Sequence, residues 1–431
     1  MRVRLIIMNF LQFAVWGAYL TSMGSYLASA GMGTKIGFFY SMQGIVSLLM
    51  PALMGIVADR WIPAQKLLGI CHALSAMFMF FAGYYALGAG DAVQFSTLFT
   101  YYSLSVGFYM PTIALSNSVA YSVLNKAGLE TVKHFPPIRV FGTVGFIVAM
   151  LAVNFITSKG IAIQHTPIQF LVSGDIGLVL AIYAFTLPKC NIDKSNRKRS
   201  LSEVLGLNAF ALFKRKKMAI FFIFSMLLGA SLQITNGYAN PFITGFSEVK
   251  EFAQTWGAQN ANALISLSQI SETLCILLIP FFLKKFGIKK VMLMSMFAWV
   301  LRFGFFGLGN PGNNVWLFVL SMIVYGIAFD FFNISGSLFV DRETDTSIRS
   351  SAQGLFMMMT NGFGATIGML GAQSVANRFV YSQTDPLAKI EGWQTAWFIF
   401  ALYALVVGIA FAFIFKYKHD SNNGGELRVE S

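Results

Sequence analysis

The sequence is poor in charge: 49 of its 431 residues, or 11%, are Asp, Glu, Lys or Arg, against about 25% in a typical soluble domain. So small a supply cannot cover an ordinary water-facing surface, which excludes the soluble globular and disordered classes. Cysteine is also scarce. Cys71, Cys190 and Cys275 stand far apart in no C-x-x-C or metal-ligand spacing, which excludes a disulfide scaffold and leaves packing as their role. Acids are outnumbered 18 to 31 by Lys and Arg, for a net charge of +13. Whether that excess means nucleic acid depends on where the cations sit.

What the chain has is apolar length. Hydrophobic residues are 56% of it, material for about twelve transmembrane helices at roughly 20 apolar residues each. Cutting at clusters of charge, Pro and Gly gives segments near 5–27, 36–57, 67–88, 94–123, 138–157 and 168–187. A second set lies near 218–243, 262–283, 288–308, 314–339, 348–377 and 393–416. The first lacks a cleavage signature at its end and reads as a span rather than a removed signal. Four units follow: a six-helix bundle over 1–187, a basic linker over 188–217, a second bundle over 218–416 and a tail over 417–431. The expected class is an all-α integral membrane protein.

With both termini on one side, that face receives 24 of the 31 Lys and Arg and the other face 5. The side with the excess is cytoplasmic, so both termini and the linker are expected there. The +13 is then a topology signal, and no nucleic-acid partner is expected. Six spans, a basic loop and six more spans is the layout of major facilitator transporters, which bind substrate between two pseudo-symmetric bundles. The loop after the second span reads Gly55-Ile-Val-Ala-Asp59-Arg60-Trp61, a version of that superfamily's cytoplasmic-loop motif. Gly55, Asp59 and Arg60 are the expected conformational-switch residues. The equivalent place in the second half, Leu283-Lys284-Lys285-Phe286-Gly287, has no acid.

A charge at the bilayer centre costs about 2.5–3.5 kcal/mol on insertion scales, so embedded ionisable residues are functional candidates. Glu272 lies mid-span with Gln269 three residues before it on the same helical face. Asp330, Asn333 and Ser337 form one stripe beside Phe329, and Gln233 and Asn236 form another. In the first half Arg139, Thr143 and Phe146 share a face, and Asn9, Gln12, Trp16 and Tyr19 make a similar stripe. Rings, amides, carboxyls and a guanidinium suit a neutral, planar, hydroxyl-bearing solute. Plain helix bridging, worth about 0.6 kcal/mol per group, also fits Asn9 and Gln12. Arg302 reads as a structural partner and Asp175 as interfacial. The four histidines, His72, His134, His165 and His419, read as span-end or loop residues.

At these segments the chain resembles the bacterial nucleoside:proton symporters of the major facilitator superfamily. The matching strings include Phe135-Pro-Pro-Ile-Arg139, Gly142-Thr143 with Gly145-Phe146, and Leu232-Gln233-Ile-Thr-Asn236. They continue with Ser268-Gln-Ile-Ser-Glu272-Thr, Phe329-Asp330-Phe-Phe-Asn333-Ile-Ser-Gly336 and Met358-Met-Thr360-Asn361-Gly-Phe-Gly364. The resemblance runs nearly end to end. It implies proton-driven uptake of purine and pyrimidine nucleosides across the bacterial inner membrane by alternating access. It places Arg139, Thr143, Phe146, Gln233, Asn236, Gln269, Glu272, Phe329 and Asp330 at the binding positions. Phe141 stands where family members are expected to have Trp, which bears on base preference only.

Asp330 and Glu272 are the carboxyls available for proton linkage, with Asp330 preferred for the proton and Glu272 for sugar hydroxyls. The proton is the coupling ion; no metal or other cofactor is expected, the surrounding partner is membrane lipid, and the chain is expected to act as a monomer. Rival readings are a proton-coupled sugar or oligosaccharide symporter of the same fold and a non-transporting membrane sensor. A membrane enzyme would need a His–acid or Cys–His constellation at one face, which the sequence does not offer.

Overall fold

The computed structural model describes residues 1–190, 207–345 and 348–417. Apolar runs with no water to satisfy the backbone must close their hydrogen bonds internally, which makes them helices. The first span, Arg2–Gly17, turns once and resumes as Met23–Leu27. A π turn, Ala28–Met32, contains Gly31 at φ 74°, and the second span, Ile36–Arg60, follows. The third, fourth and fifth are Ala64–Ala89, Phe95–Lys126 and Thr131–Phe155. A short antiparallel hairpin, Thr157–Ser158 with Ile161–Ala162, leads to the sixth, Ile168–Ala184.

The second half begins with the seventh span, Lys216–Gly245. The eighth and ninth are the two arms of one chain run, Ala261–Leu308, broken at Gly287 with φ 74° and ψ 168°. That backbone region is open essentially to glycine alone, so Gly287 is where the run folds back. The tenth is Val315–Glu343. The eleventh joins Arg349–Met357 to Ala365–Phe379 through a π segment, Met358–Gly364. The twelfth, Pro386–Ile414, starts on an Asp385 side chain that accepts from the Ala388 amide at 2.9 Å. The expected linker 188–217 falls largely outside the described residues, as does all of the expected tail beyond Tyr417.

Two sequence expectations need correction. The fifth span begins at Thr131, not near 138, so Pro136 and Pro137 lie inside it; proline in a bilayer helix is tolerated where neighbouring helices support the freed backbone. The third span begins at Ala64, which puts His72 inside the helix, fully buried, rather than at an end. The cysteines are all buried and free, as their packing role requires. Large apolar side chains such as Leu277, Phe413 and Ile182 stand exposed on the outer faces of their spans, as expected where the solvent is lipid.

Within the first half the first span packs on the fifth, and the third on the fourth and sixth; within the second, the tenth packs on the eighth–ninth run and the seventh on the eleventh. The halves meet where the second span lies on the eleventh, the fifth on the eighth–ninth run, and Met23–Leu27 on the seventh. Small residues allow this approach. A Cβ at Gly24 would stand 2.5 Å from the Gly237 carbonyl oxygen, and one at Gly44 2.8 Å from that of Gly362.

Hydrogen bonds across the seam gather at the end away from the termini. Thr21 donates to Asn262 at 2.8 Å, Asn154 to Asn260 at 2.9 Å, and Gln373 to the Gly33 carbonyl at 3.1 Å; Ser25 donates to Asn240. Ion pairs near the terminal end, Lys217 with Glu343 at 2.6 Å and Arg349 with Asp341 at 3.0 Å, stay within the second half. The molecule is therefore laced shut at the far end.

Candidate functional site

The fifth span carries Arg139 about two turns in from its start, just past Pro136 and Pro137. Its guanidinium lies 3.8 Å above the centre of the Phe13 ring from the first span, and a cation over an aromatic face is worth about 0.5–2 kcal/mol. Across the seam, Arg139 and Glu272 of the eighth span are within electrostatic reach of each other, and so are Glu272 and Asp330. Asp330 is 5% exposed and its Oδ2 has no hydrogen-bond partner. An unsatisfied carboxylate oxygen in such a place is costly to keep ionised, which makes it a natural acceptor for a proton.

An aromatic wall stands beside the carboxyls. Phe329 stacks on Tyr325 with ring centres 5.8 Å apart and planes 7° from parallel. Behind Tyr325, at 4.5 Å from its ring centre, is the Arg302 guanidinium, which donates to the Ser321 carbonyl at 2.7 Å and to Ser268 at 3.3 Å. Arg302 is thus a packed cation inside the second half, as its sequence position implied. Tyr325 also reaches Gln269. Sequence reasoning passed over Tyr325, although it sits one turn before Phe329 and its helical spacing carried the signal. Phe13 had no such signal, because its partner comes from another span.

The remaining candidates divide. Gln233 donates to the Tyr40 carbonyl at 3.2 Å and to Gln43 at 3.3 Å, both on the second span, and accepts from Asn236 at 3.2 Å. It therefore ties the halves together. Phe146 is buried where the first and fifth spans cross, its carbonyl against Gly17. Thr143 is half-buried on the same helix. Gly55 lies in the second span with open space around it, and the side chain of Asp59 lies outside the described residues.

The first-span stripe does not point to the centre as a unit. Gln12 donates to Thr112 at 2.7 Å, its Oε1 faces His72 Nε2 at 2.8 Å, and its carbonyl accepts from Tyr109 at 2.8 Å. It belongs to a buried network inside the first half. Asn9 donates to the Leu5 carbonyl and Tyr19 packs on Tyr102. Ser337 pairs with Gln353 of the eleventh span, away from Asp330.

A profile of the family described as "Nucleoside H+ symporter" matches residues 1–420. The chain is 47% identical to the xanthosine permease of Escherichia coli, covering 97% of this chain and 96% of the relative. It is 46% identical to the nucleoside permease NupG of the same organism over 97% of both. A crystal structure of the nucleoside transporter NupG superposes with a TM-score of 0.86 at 45% identity, covering 97% of this chain and 99% of that one. A D-xylose–proton symporter shares the fold at a TM-score of 0.70 with 12% identity, over 98% of both chains.

Proposed function

The chain belongs to the nucleoside H+ symporter family; the protein is a multi-pass inner-membrane transporter that takes up nucleosides with protons and is not an enzyme, and on that premise we propose how its residues divide the task. Both termini lie in the cytoplasm, a placement supported by the Lys and Arg excess on that face. The laced far end then faces outward, and the described state is one closed to the outside. A nucleoside and a proton enter when the halves rock and that seam opens, and both leave to the cytoplasm when it closes. Gly55, Asp59 and Arg60 act at the cytoplasmic end, where the open space around Gly55 leaves room for the second half to approach. The unit of transport is the monomer in lipid, and the proton is the coupling ion, with no other cofactor.

The solute sits between Arg139, Thr143 and Phe146 on one side and Gln233, Asn236, Gln269, Glu272, Phe329 and Asp330 on the other. Phe329, backed by Tyr325, offers a flat face for a base. Glu272, balanced by Arg139, accepts from ribose hydroxyls, which charge-assisted hydrogen bonds hold well. Asp330 carries the proton. The observation that bears most weight is its buried, unpartnered Oδ2 beside a second carboxyl, a place where a proton removes an uncompensated charge. At about 2.3 kcal/mol per charge per 100 mV, one proton supports about 50-fold accumulation of a neutral solute.

The test is uptake of radiolabelled uridine and adenosine into proteoliposomes with and without an inwardly directed proton gradient. Accumulation above equilibrium only with the gradient is the expected result; equal accumulation in both would remove proton coupling.

A further inference from the structure

Next to the carboxyls, the second half holds a cavity that the candidate site only borders. It is lined by Gly229 of the seventh span, Trp299 of the ninth, Phe329 and Asn333 of the tenth, and Thr360 and Asn361 of the eleventh. Phe329 is thus a wall shared between this cavity and the site containing Asp330.

The polar groups here are only partly used. Asn333 donates one N–H to the Phe329 carbonyl at 3.1 Å, which leaves its second N–H and its oxygen open. The Thr360 hydroxyl is spent on the Phe356 carbonyl at 3.1 Å. The Asn361 side chain makes no hydrogen bond among the described residues. Its placement is fixed by backbone, because it stands in the π segment Met358–Gly364, a turn type often found at functional sites. Gly229 presses on that segment: a Cβ there would lie 2.1 Å from the Thr360 carbonyl oxygen. Only a bare backbone fits, so the seventh span buttresses the turn that presents Asn361.

Resting on the nucleoside reading, we propose that Asn333 and Asn361 read the edge of the substrate's base while Phe329 gives it a flat face. An amide carries a donor and an acceptor side by side. Nucleobase edges carry the same pair, as a ring N–H beside a carbonyl or an amine beside a ring nitrogen. A half-turn of the Asn361 amide exchanges its donor and acceptor while Asn333 stays held by the Phe329 carbonyl, so the pair accepts either arrangement. This accounts for one site serving both purines and pyrimidines, and it holds base reading apart from the charged groups that handle ribose and proton.

Binding of adenosine and of purine riboside, which lacks the 6-amino group, to the purified full-length protein separates this from a general packing role. The unaltered protein should bind adenosine about 5- to 10-fold more tightly, the range one or two neutral hydrogen bonds supply. Asn361→Leu or Asn333→Leu should bring the ratio close to 1 while purine riboside affinity stays within about 2-fold. Purine riboside binding also reports folding; if the leucine variants lose it, Asn361→Ser and Asn333→Ser are read in the same way. An adenosine preference that survives in both positions' variants overturns the base-reading proposal alone. An unaltered protein that binds neither compound overturns the nucleoside reading beneath it.

Discussion

Asp330 keeps a carboxylate oxygen without a partner inside an apolar helix, a costly arrangement that a packing role would not require. Asp330→Asn should therefore abolish gradient-driven accumulation in proteoliposomes while counterflow exchange of labelled nucleoside continues. Full accumulation by that variant would move the proton elsewhere. The ring beneath Arg139 gives a second residue-scale outcome. Phe13→Leu removes the face that holds the guanidinium at 3.8 Å, and a loss of about 0.5–1 kcal/mol should raise KM about 2- to 5-fold with little change in maximal rate. At this scale the sequence exposed Asp330, Glu272 and Arg139, because a charge inside an apolar run is visible by itself. It did not expose Phe13 or the His72–Gln12–Thr112 network, since helical period tells which face a residue is on but not which helix lies opposite.

At the scale of elements, the sharp joint at Gly287 and the turn after the hairpin both make predictions. Gly287→Ala places a Cβ in a glycine-only region, at a cost of about 1–3 kcal/mol, and should lower the thermal midpoint of the detergent-purified protein. His165 closes the turn between the hairpin and the sixth span, outside the spans themselves. Burial holds its imidazole below the usual histidine range, so its folded state prefers the neutral ring. The stability this contributes is complete above about pH 6.5, the ordinary value, and declines as pH falls below it. The thermal midpoint should drop less between pH 7.5 and 5.5 in His165→Gln than in the unaltered protein; parallel curves would exclude His165 as the titrating group. Element number and order were readable from apolar run lengths. The start of the fifth span was not, because Pro136 and Pro137 resemble a helix boundary in sequence yet are accommodated in a bilayer helix.

For the whole molecule, transport requires the far end to part. Thr21 and Asn262 touch across the seam at 2.8 Å, so a Thr21→Cys, Asn262→Cys pair should cross-link under oxidation, stop uptake, and release it on addition of reductant. The native cysteines are buried and should leave the background clean. Uptake that persists in a fully cross-linked sample would place the moving seam elsewhere. The two-half plan was legible from the basic loop between two sets of six spans, but which end is closed was not, since that rests on amides and hydroxyls with no periodic signature.

The chemistry of that seam has a consequence for the conditions the transporter meets. The groups that bridge it, Thr21, Ser25, Asn154, Asn240, Asn260, Asn262 and Gln373, are all neutral. Mobile ions screen interactions between charges and leave such a latch almost untouched, so the ease with which the outer gate opens should be the same in dilute and in briny surroundings.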